Sequence, residues 1–203
     1  MKKEELISFL TQSNILKTKS IMDAFKDIDR KDFVPKKYVD DAYIDHPLDI
    51  GFGQTISQPS TVAFMLELLS PKKGEKILDV GSGSGWTSAL LGHIVGDEGI
   101  VYGVEIVKDL VLFGRANLEK YGFTNVRIYQ AGEKLGLKEK GLFDRILVSA
   151  AAKEIPAELI SQLKTGGTLV IPIHDSIFRI IKKNKNHLEK EKIPGFAFVP
   201  LIV

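Results

Sequence analysis

The sequence predicts an α/β domain with a doubly wound, mostly parallel sheet and helices on both faces. Three observations carry that expectation. Ile77-Leu-Asp-Val-Gly-Ser-Gly-Ser-Gly-Trp86 reads as an apolar strand ending in an acid, then three glycines at alternate positions, just ahead of a helix. Glycine lets a backbone turn sharply and approach a ligand closely. A helix start presents free N–H groups, so this is a nucleotide-type cofactor loop. Strand and helix patterns then alternate from residue 76 to residue 171, an order that implies parallel strands joined by helical crossovers. Finally, 203 residues suit one domain with elaborated termini. The expected division is an extension over 1–59, a cofactor core over 60–175 and C-terminal strands over 176–203.

Each element has its own signal. In residues 1–42, Ile7, Leu10, Ile15 and Leu16, then Ile21, Ala24, Phe25 and Ile28, recur at roughly helical spacing until Pro35 interrupts them. Residues 43–59 read as irregular. Ser60 is the expected N-cap of a helix whose buried face is Val62, Met65, Leu66 and Leu69, stopped by Pro71. Strands follow at Lys76–Val80, Ile100–Val104, Val126–Gln130 and Phe143–Val148. Helices are expected at Trp86–Val95, at Lys108–Tyr121 ahead of Gly122, and at Pro156–Leu163 with proline in the first turn. Gly166-Gly167 is expected to turn into a fifth strand, Thr168–Ile171. Ser176–Lys182 and Phe196–Val203 are expected to form an antiparallel edge hairpin, with Lys182–Lys192 as its solvated tip.

Composition narrows the chemistry. The sequence has no cysteine, which excludes disulfides, thiolate catalysis and cysteine-ligated zinc. A net charge of +2 is too mild to argue for nucleic acid. No apolar run is long enough to span a bilayer, and MKKEELISFL lacks a secretory core, so a cytoplasmic protein is expected; the expected assembly is a monomer. His93, His174 and His187 show no metal-ligand spacing, and no metal is expected. Asp45 and His46 are expected to brace their loop rather than to act as acid and base, and Trp86 to pack beside the cofactor loop.

The glycines at 81, 83 and 85 depart from the nicotinamide fingerprint G-x-G-x-x-G/A, because position 86 is Trp. With Asp79 ahead of them, they give a pattern that resembles the class I S-adenosylmethionine-dependent methyltransferases, which have a Rossmann-like fold. The resemblance implies S-adenosylmethionine as cofactor, held by Asp79, Gly81, Ser82, Gly83 and Gly85. It also implies that Glu105, about 20 residues past the loop, grips both ribose hydroxyls. After the third strand, Gln130-Ala-Gly-Glu-Lys134 offers Glu133 as the acid near the adenine amine, with Gly132 the alternative alignment.

A second resemblance is more specific. Tyr43-Ile-Asp-His-Pro-Leu-Asp-Ile-Gly-Phe-Gly-Gln-Thr-Ile-Ser-Gln-Pro59, Asp32-Phe-Val-Pro35, Ser149-Ala-Ala-Ala152, Gly166-Gly-Thr-Leu-Val-Ile-Pro172 and Phe198-Val-Pro-Leu201 together resemble the protein-L-isoaspartate O-methyltransferase family. The resemblance implies repair of damaged proteins, by methylating the free α-carboxylate of L-isoaspartyl and, less well, D-aspartyl residues. It implies Ser57 as the active-site serine, a hydrogen-bond donor to that carboxylate, with Gln54 and Thr55 shaping the pocket. Ser149 and Ala150 are expected to frame the substrate peptide. Lys153 and His174 stand where relatives carry other residues, which touches peptide preference rather than reaction class. Two rivals remain: a methyltransferase of RNA or a small molecule on the same fold, and a non-catalytic reader of damaged peptides.

Overall fold

The computed structural model describes residues 1–202. The N-terminal region is helical where the periodicity predicts it, as α1 (Lys3–Gln12) and α2 (Lys19–Asp27). Short 3-10 turns, Arg30–Phe33 and Lys36–Asp41, lie on either side of Pro35. The segment expected to be irregular contains a hairpin, β1 (Leu48–Gly51) and β2 (Gln54–Ile56). Leu48, Ile50 and Ile56 are its buried residues, too short an alternation to stand out among the glycines. Next comes α3 (Pro59–Leu69). Its N-cap is Gln58 and not Ser60, because Pro59 supplies the preset φ of a first helical residue. The free N–H of Ser60 instead donates to Asp45 Oδ1 at 2.8 Å. From the far end of α3, Glu67 accepts the N–H groups of Lys17 and Thr18 at 2.8 and 2.7 Å, tying the start of α2 to this helix.

The alternating region follows the predicted order: β3 (Lys76–Val80), α4 (Trp86–Val95), β4 (Ile100–Glu105), α5 (Lys108–Glu119), β5 (Val126–Gln130), β6 (Phe143–Val148), α6 (Ala157–Gln162) and β7 (Leu163–Ile173). Then come β8 (Ser176–Lys182) and β9 (Leu188–Pro194). One seven-stranded sheet runs β5-β4-β3-β6-β7-β8-β9. It is parallel from β5 to β7 and antiparallel across β7-β8-β9.

Three details differ from expectation. Gly166-Gly167 falls not ahead of a strand but at an irregularity inside a longer one. Leu163 pairs with Phe143, and the register then jumps to Thr168 opposite Arg145. The last strand is Leu188–Pro194 rather than Phe196–Val203. Residues 188–194 alternate charged side chains on an exposed edge, a pattern that discourages pairing with another chain but masks the strand in a hydropathy reading. Residues 195–202 lie outside the strands, with Pro200 in an isolated parallel bridge to Ala151 beyond β6, and Val203 lies outside the described residues. Lys182, expected in a solvated tip, reaches the end of α6 and donates to the carbonyls of Ile160 and Leu163, both at 2.7 Å.

Each parallel strand sends alternate side chains to two separate cores. Ile77, Val101, Leu147 and Val170 pack with α1 to α5 on one face. Leu78, Val104, Ile146 and Leu169 pack on the other, where α6 contributes Leu159 and loops fill the remainder. Helices therefore cover both faces, very unequally. Successive crossovers run outward from β3 to β5, and the chain then returns to β6 on the opposite side of β3. That reversal leaves a crevice at the carboxyl ends of β3 and β6, the place where such sheets bind ligands.

Candidate functional site

A cleft opens at that crevice. Its floor is the glycine loop after β3, and its walls come from the β1–β2 hairpin, the ends of β4 and β6, residues 131–136 and the C-terminal segment. Of the residues singled out in the sequence, Gln54, Thr55, Ser57, Gly81, Ser82, Gly83, Glu105, Glu133, Ser149 and Ala150 all line it. Asp79 and Gly85 do not.

Gly85 has a different task. It has a φ of +86° at the N-cap of α4, and a Cβ there would lie 3.1 Å from the carbonyl oxygen of Gly114 on α5. Close helix packing therefore happens at Gly85 against Gly114, one position before Trp86. Trp86 turns away and packs edge-on against Phe25, ring centroids 5.6 Å apart. The loop is fixed from several sides. The N–H groups of Gly81 and Ser82 donate to the carbonyl of Val104 at 2.9 and 3.1 Å, and Asn117 Nδ2 on α5 donates to the carbonyl of Ser84 at 2.9 Å.

Glu105 ends β4 on the cleft wall, only 6% exposed. Its Oε2 accepts the N–H of Gly83 and its Oε1 the N–H of Val107, both at 2.9 Å. The two backbone bonds lock the carboxylate in place and leave each oxygen further acceptor capacity. Ser82 Oγ, a buried hydroxyl in the floor, has no hydrogen-bond partner within the protein.

Asp79 sits beneath the loop, fully buried. Its Oδ2 accepts from Ser88 Oγ at 2.6 Å, and Oδ1 has no partner. Burial pushes this carboxyl up to about 7; the Ser88 hydrogen bond opposes the rise and the nearby charge of Glu105 adds to it.

On the hairpin side, Ser57 follows β2, and its carbonyl accepts from Arg30 Nη2 at 3.0 Å. Arg30 is the residue that sequence reading missed. Only 2% exposed, it also donates to the carbonyls of Ala42 at 2.7 Å and His46 at 3.1 Å, while its guanidinium lies 5.3 Å from the Trp86 ring. Burial lowers its pKa to about 10, so it stays charged near neutrality, helped by Asp45. Asp45 accepts from Gln58 Nε2 at 3.1 Å as well as from Ser60, so it braces the loop as expected. His46 Nδ1 approaches the carbonyl of its neighbour Pro47 at 2.8 Å.

The far wall was also unforeseen in form. Val199, Pro200, Leu201 and Ile202 line the cleft instead of pairing at the sheet edge. The N–H of Ala151 donates to the carbonyl of Val199, and the N–H of Leu201 to the carbonyl of Ala151, each at 2.8 Å. Below Glu133, Gln162 on α6 accepts the N–H of Leu137 at 2.7 Å and donates to the carbonyl of Leu135 at 2.9 Å, holding the 131–136 wall.

Two outcomes test this geometry. Replacing Arg30 by Met removes every donor and leaves buried carbonyls unpaired at about 1–3 kcal/mol each, so urea denaturation should show a loss on the order of 3 kcal/mol. Arg30→Lys should recover little, since a single ammonium lacks the planar fork that serves separate carbonyls. Wild-type stability in either variant would refute the role given to Arg30. Asp79 supplies a pH dependence. Its folded pKa is raised, so its contribution is complete below the ordinary carboxyl range and is lost as pH rises through about 7. The cofactor-free Asp79→Asn variant should therefore gain on wild type between about pH 4 and pH 8, by a few kcal/mol. A stability difference that does not change with pH would show that Asp79 is not protonated by burial.

The comparisons with known proteins agree with one another. The sequence model of the protein-L-isoaspartate(D-aspartate) O-methyltransferase family matches residues 1–203. The chain is 42% identical over 200 residues to the protein-L-isoaspartate O-methyltransferase of Pyrobaculum islandicum, covering 97% of each chain. It is 39% identical over 206 residues to that of Ignicoccus hospitalis, covering 99% of this chain and 97% of the relative. A crystal structure of a putative Plasmodium falciparum protein-L-isoaspartate O-methyltransferase, in complex with S-adenosyl-L-homocysteine, superposes with a TM-score of 0.87 at 29% identity, covering 100% of this chain and 99% of the other. With full-length agreement in sequence and in fold, the chain belongs to the protein-L-isoaspartate(D-aspartate) O-methyltransferase family.

Proposed function

We propose that the chain transfers the methyl group of S-adenosylmethionine to the free α-carboxylate of L-isoaspartyl residues, and of D-aspartyl residues less well, in damaged proteins. One observation carries this reading: the Gln54–Ser57 segment and the glycine loop, far apart in sequence, line a single cleft.

The residues present fit the cofactor. Ser82 Oγ is a buried polar atom without a partner, Glu105 keeps acceptor capacity toward the cleft, and Gly81 and Gly83, with φ of +78° and +49°, offer a floor without side chains. Glu105 is the residue to accept the two ribose hydroxyls, with Glu133 available to the adenine amine. When bound, S-adenosylmethionine supplies a methyl group on a positively charged sulfur that is already a good leaving group.

The chain's own work is positioning. An α-carboxylate is ionised at neutral pH, its pKa being about 4, so no base is needed to make it a nucleophile. Ser57 donates a hydrogen bond that holds one carboxylate oxygen and leaves the other to take the methyl group. Gln54 and Thr55 shape the pocket around it, and Ser149 and Ala150 frame the peptide. The tail segment and the 131–136 wall exclude water, which raises the reactivity of a charged oxygen held in line. No proton moves in the transfer. The ester then closes to a succinimide as the neighbouring backbone nitrogen displaces methanol, and hydrolysis partly restores aspartate.

The deciding experiment compares an isoaspartyl peptide with its matched aspartyl peptide. Methyl transfer should occur to the first and not to the second; equal transfer to both, or none to either, would overturn the proposal. In Ser57→Ala, turnover of the isoaspartyl peptide should fall about 10- to 100-fold, the worth of one hydrogen bond to a charged group. Cofactor affinity measured by calorimetry should stay near wild type, and undiminished turnover would remove Ser57 from the mechanism.

A further inference from the structure

The hairpin that leads to Ser57 ends in an unusual tip. Gly51, Phe52 and Gly53 have φ of +91°, +57° and +70°. A left-handed conformation suits glycine but is unfavourable for a side chain as bulky as phenylalanine. Phe52 is also 61% exposed, the highest value among the exposed large apolar side chains of the described residues, and it packs into neither core. Position 52 thus combines backbone strain with an exposed aromatic ring and gains no packing in return. Glycine or asparagine would serve the turn better. Costs of this kind persist where function needs them.

The neighbours indicate the function. Gln54, across the tip from Gly51, and Thr55 line the cleft, so Phe52 stands at its rim. Two further apolar side chains left exposed, Ile106 at 38% and Ile202 at 54%, line the same cleft. No charged residue occurs from Ile50 to Ser57. The hairpin side of the cleft is therefore uncharged, and Phe52 stands on it beside the pocket that takes the reacting carboxylate.

Resting on the isoaspartyl reading above, we propose that Phe52 is a specificity-determining residue, whose ring receives an apolar or aromatic side chain of the substrate next to the isoaspartyl residue. An aromatic contact of this kind is worth about 0.5–1.5 kcal/mol, roughly a 2- to 12-fold preference. Phe52 touches no reacting atom, so the preference acts through KM and not through kcat.

The test measures kcat and KM for two isoaspartyl peptides that differ only in the neighbouring residue, Phe or Ser. Wild type should favour the Phe peptide about 3- to 10-fold in kcat/KM, with the difference in KM. In Phe52→Asn that ratio should fall to near one, and Phe52→Leu should restore part of it. The melting temperature of Phe52→Asn should equal or exceed that of wild type, since asparagine tolerates the left-handed turn. A ratio unchanged in Phe52→Asn, equal losses on both peptides, or a marked drop in melting temperature would each overturn the proposal. Wild type active on both peptides without preference would overturn it alone, whereas wild type inactive on both would overturn the repair reading together with it.

Discussion

The Arg30 guanidinium is the point where three parts of the chain become one site. Its donors reach carbonyls at Ala42, His46 and Ser57, and its plane lies over Trp86, the first residue of the helix that follows the glycine loop. Withdrawing a cation from water costs several kcal/mol unless hydrogen bonds replace the lost solvation. The carbonyls supply them, each charge-assisted bond contributing about 1.5–3 kcal/mol, and the indole adds a cation–π contact. The energetic demand of the buried charge thus becomes a positional constraint. The 42–57 segment, which turns through Gly51 and Gly53, must hold its backbone where Arg30 finds acceptors. Because Trp86 is wedged between Phe25 and Arg30, the helical extension and the cofactor loop share one anchor.

On the other side of the loop the constraint is steric. Gly85 and Gly114 let α4 and α5 approach closely, and a side chain at either position would meet backbone of the other. Asn117, one turn along α5 from Gly114, then ties the carbonyl of Ser84. Glu105 adds the third restraint by accepting from Gly83, so an acid on the cleft wall also shapes the loop beside it. Packing and backbone bonds within the chain set the geometry of the cleft floor. Such preorganisation is what a reaction driven by positioning requires.

Much of this was legible in the sequence. Parallel strands buried on both faces carry runs such as Ile146-Leu-Val148, and the glycine loop announces a backbone that must turn without side chains. Ser57, Glu105 and Glu133, each marked by its own motif in a separate region of the sequence, line one cleft. What escaped the reading has physical causes. Arg30 looks like any surface cation, since burial of a charge is decided by carbonyls 12 to 27 residues away, as its bonds to Ala42 and Ser57 show. β9 is hidden because an exposed edge strand is built of charged residues, while the apolar tail that resembles a strand is apolar in order to line a cleft. Gly85 belongs to the same glycine pattern as Gly81 and Gly83, yet only the structure separates the glycine required by a neighbouring helix from those left open to a ligand.

The protonation chemistry around the cleft follows from the same division. A carboxylate nucleophile and a sulfonium donor exchange a methyl group without a proton, so no side chain must be tuned to act as base near neutral pH. The group whose pKa is pushed to about 7 in this region, Asp79, lies behind the cleft floor with no exposure. In a site that worked by acid–base chemistry, such an acid would be expected in contact with solvent or substrate. Here it holds Ser88 of α4 beneath the loop instead. Its raised pKa is therefore a consequence of how tightly the loop is packed, while the cleft surface itself is lined by serine hydroxyls, backbone groups and the fixed Glu105 carboxylate.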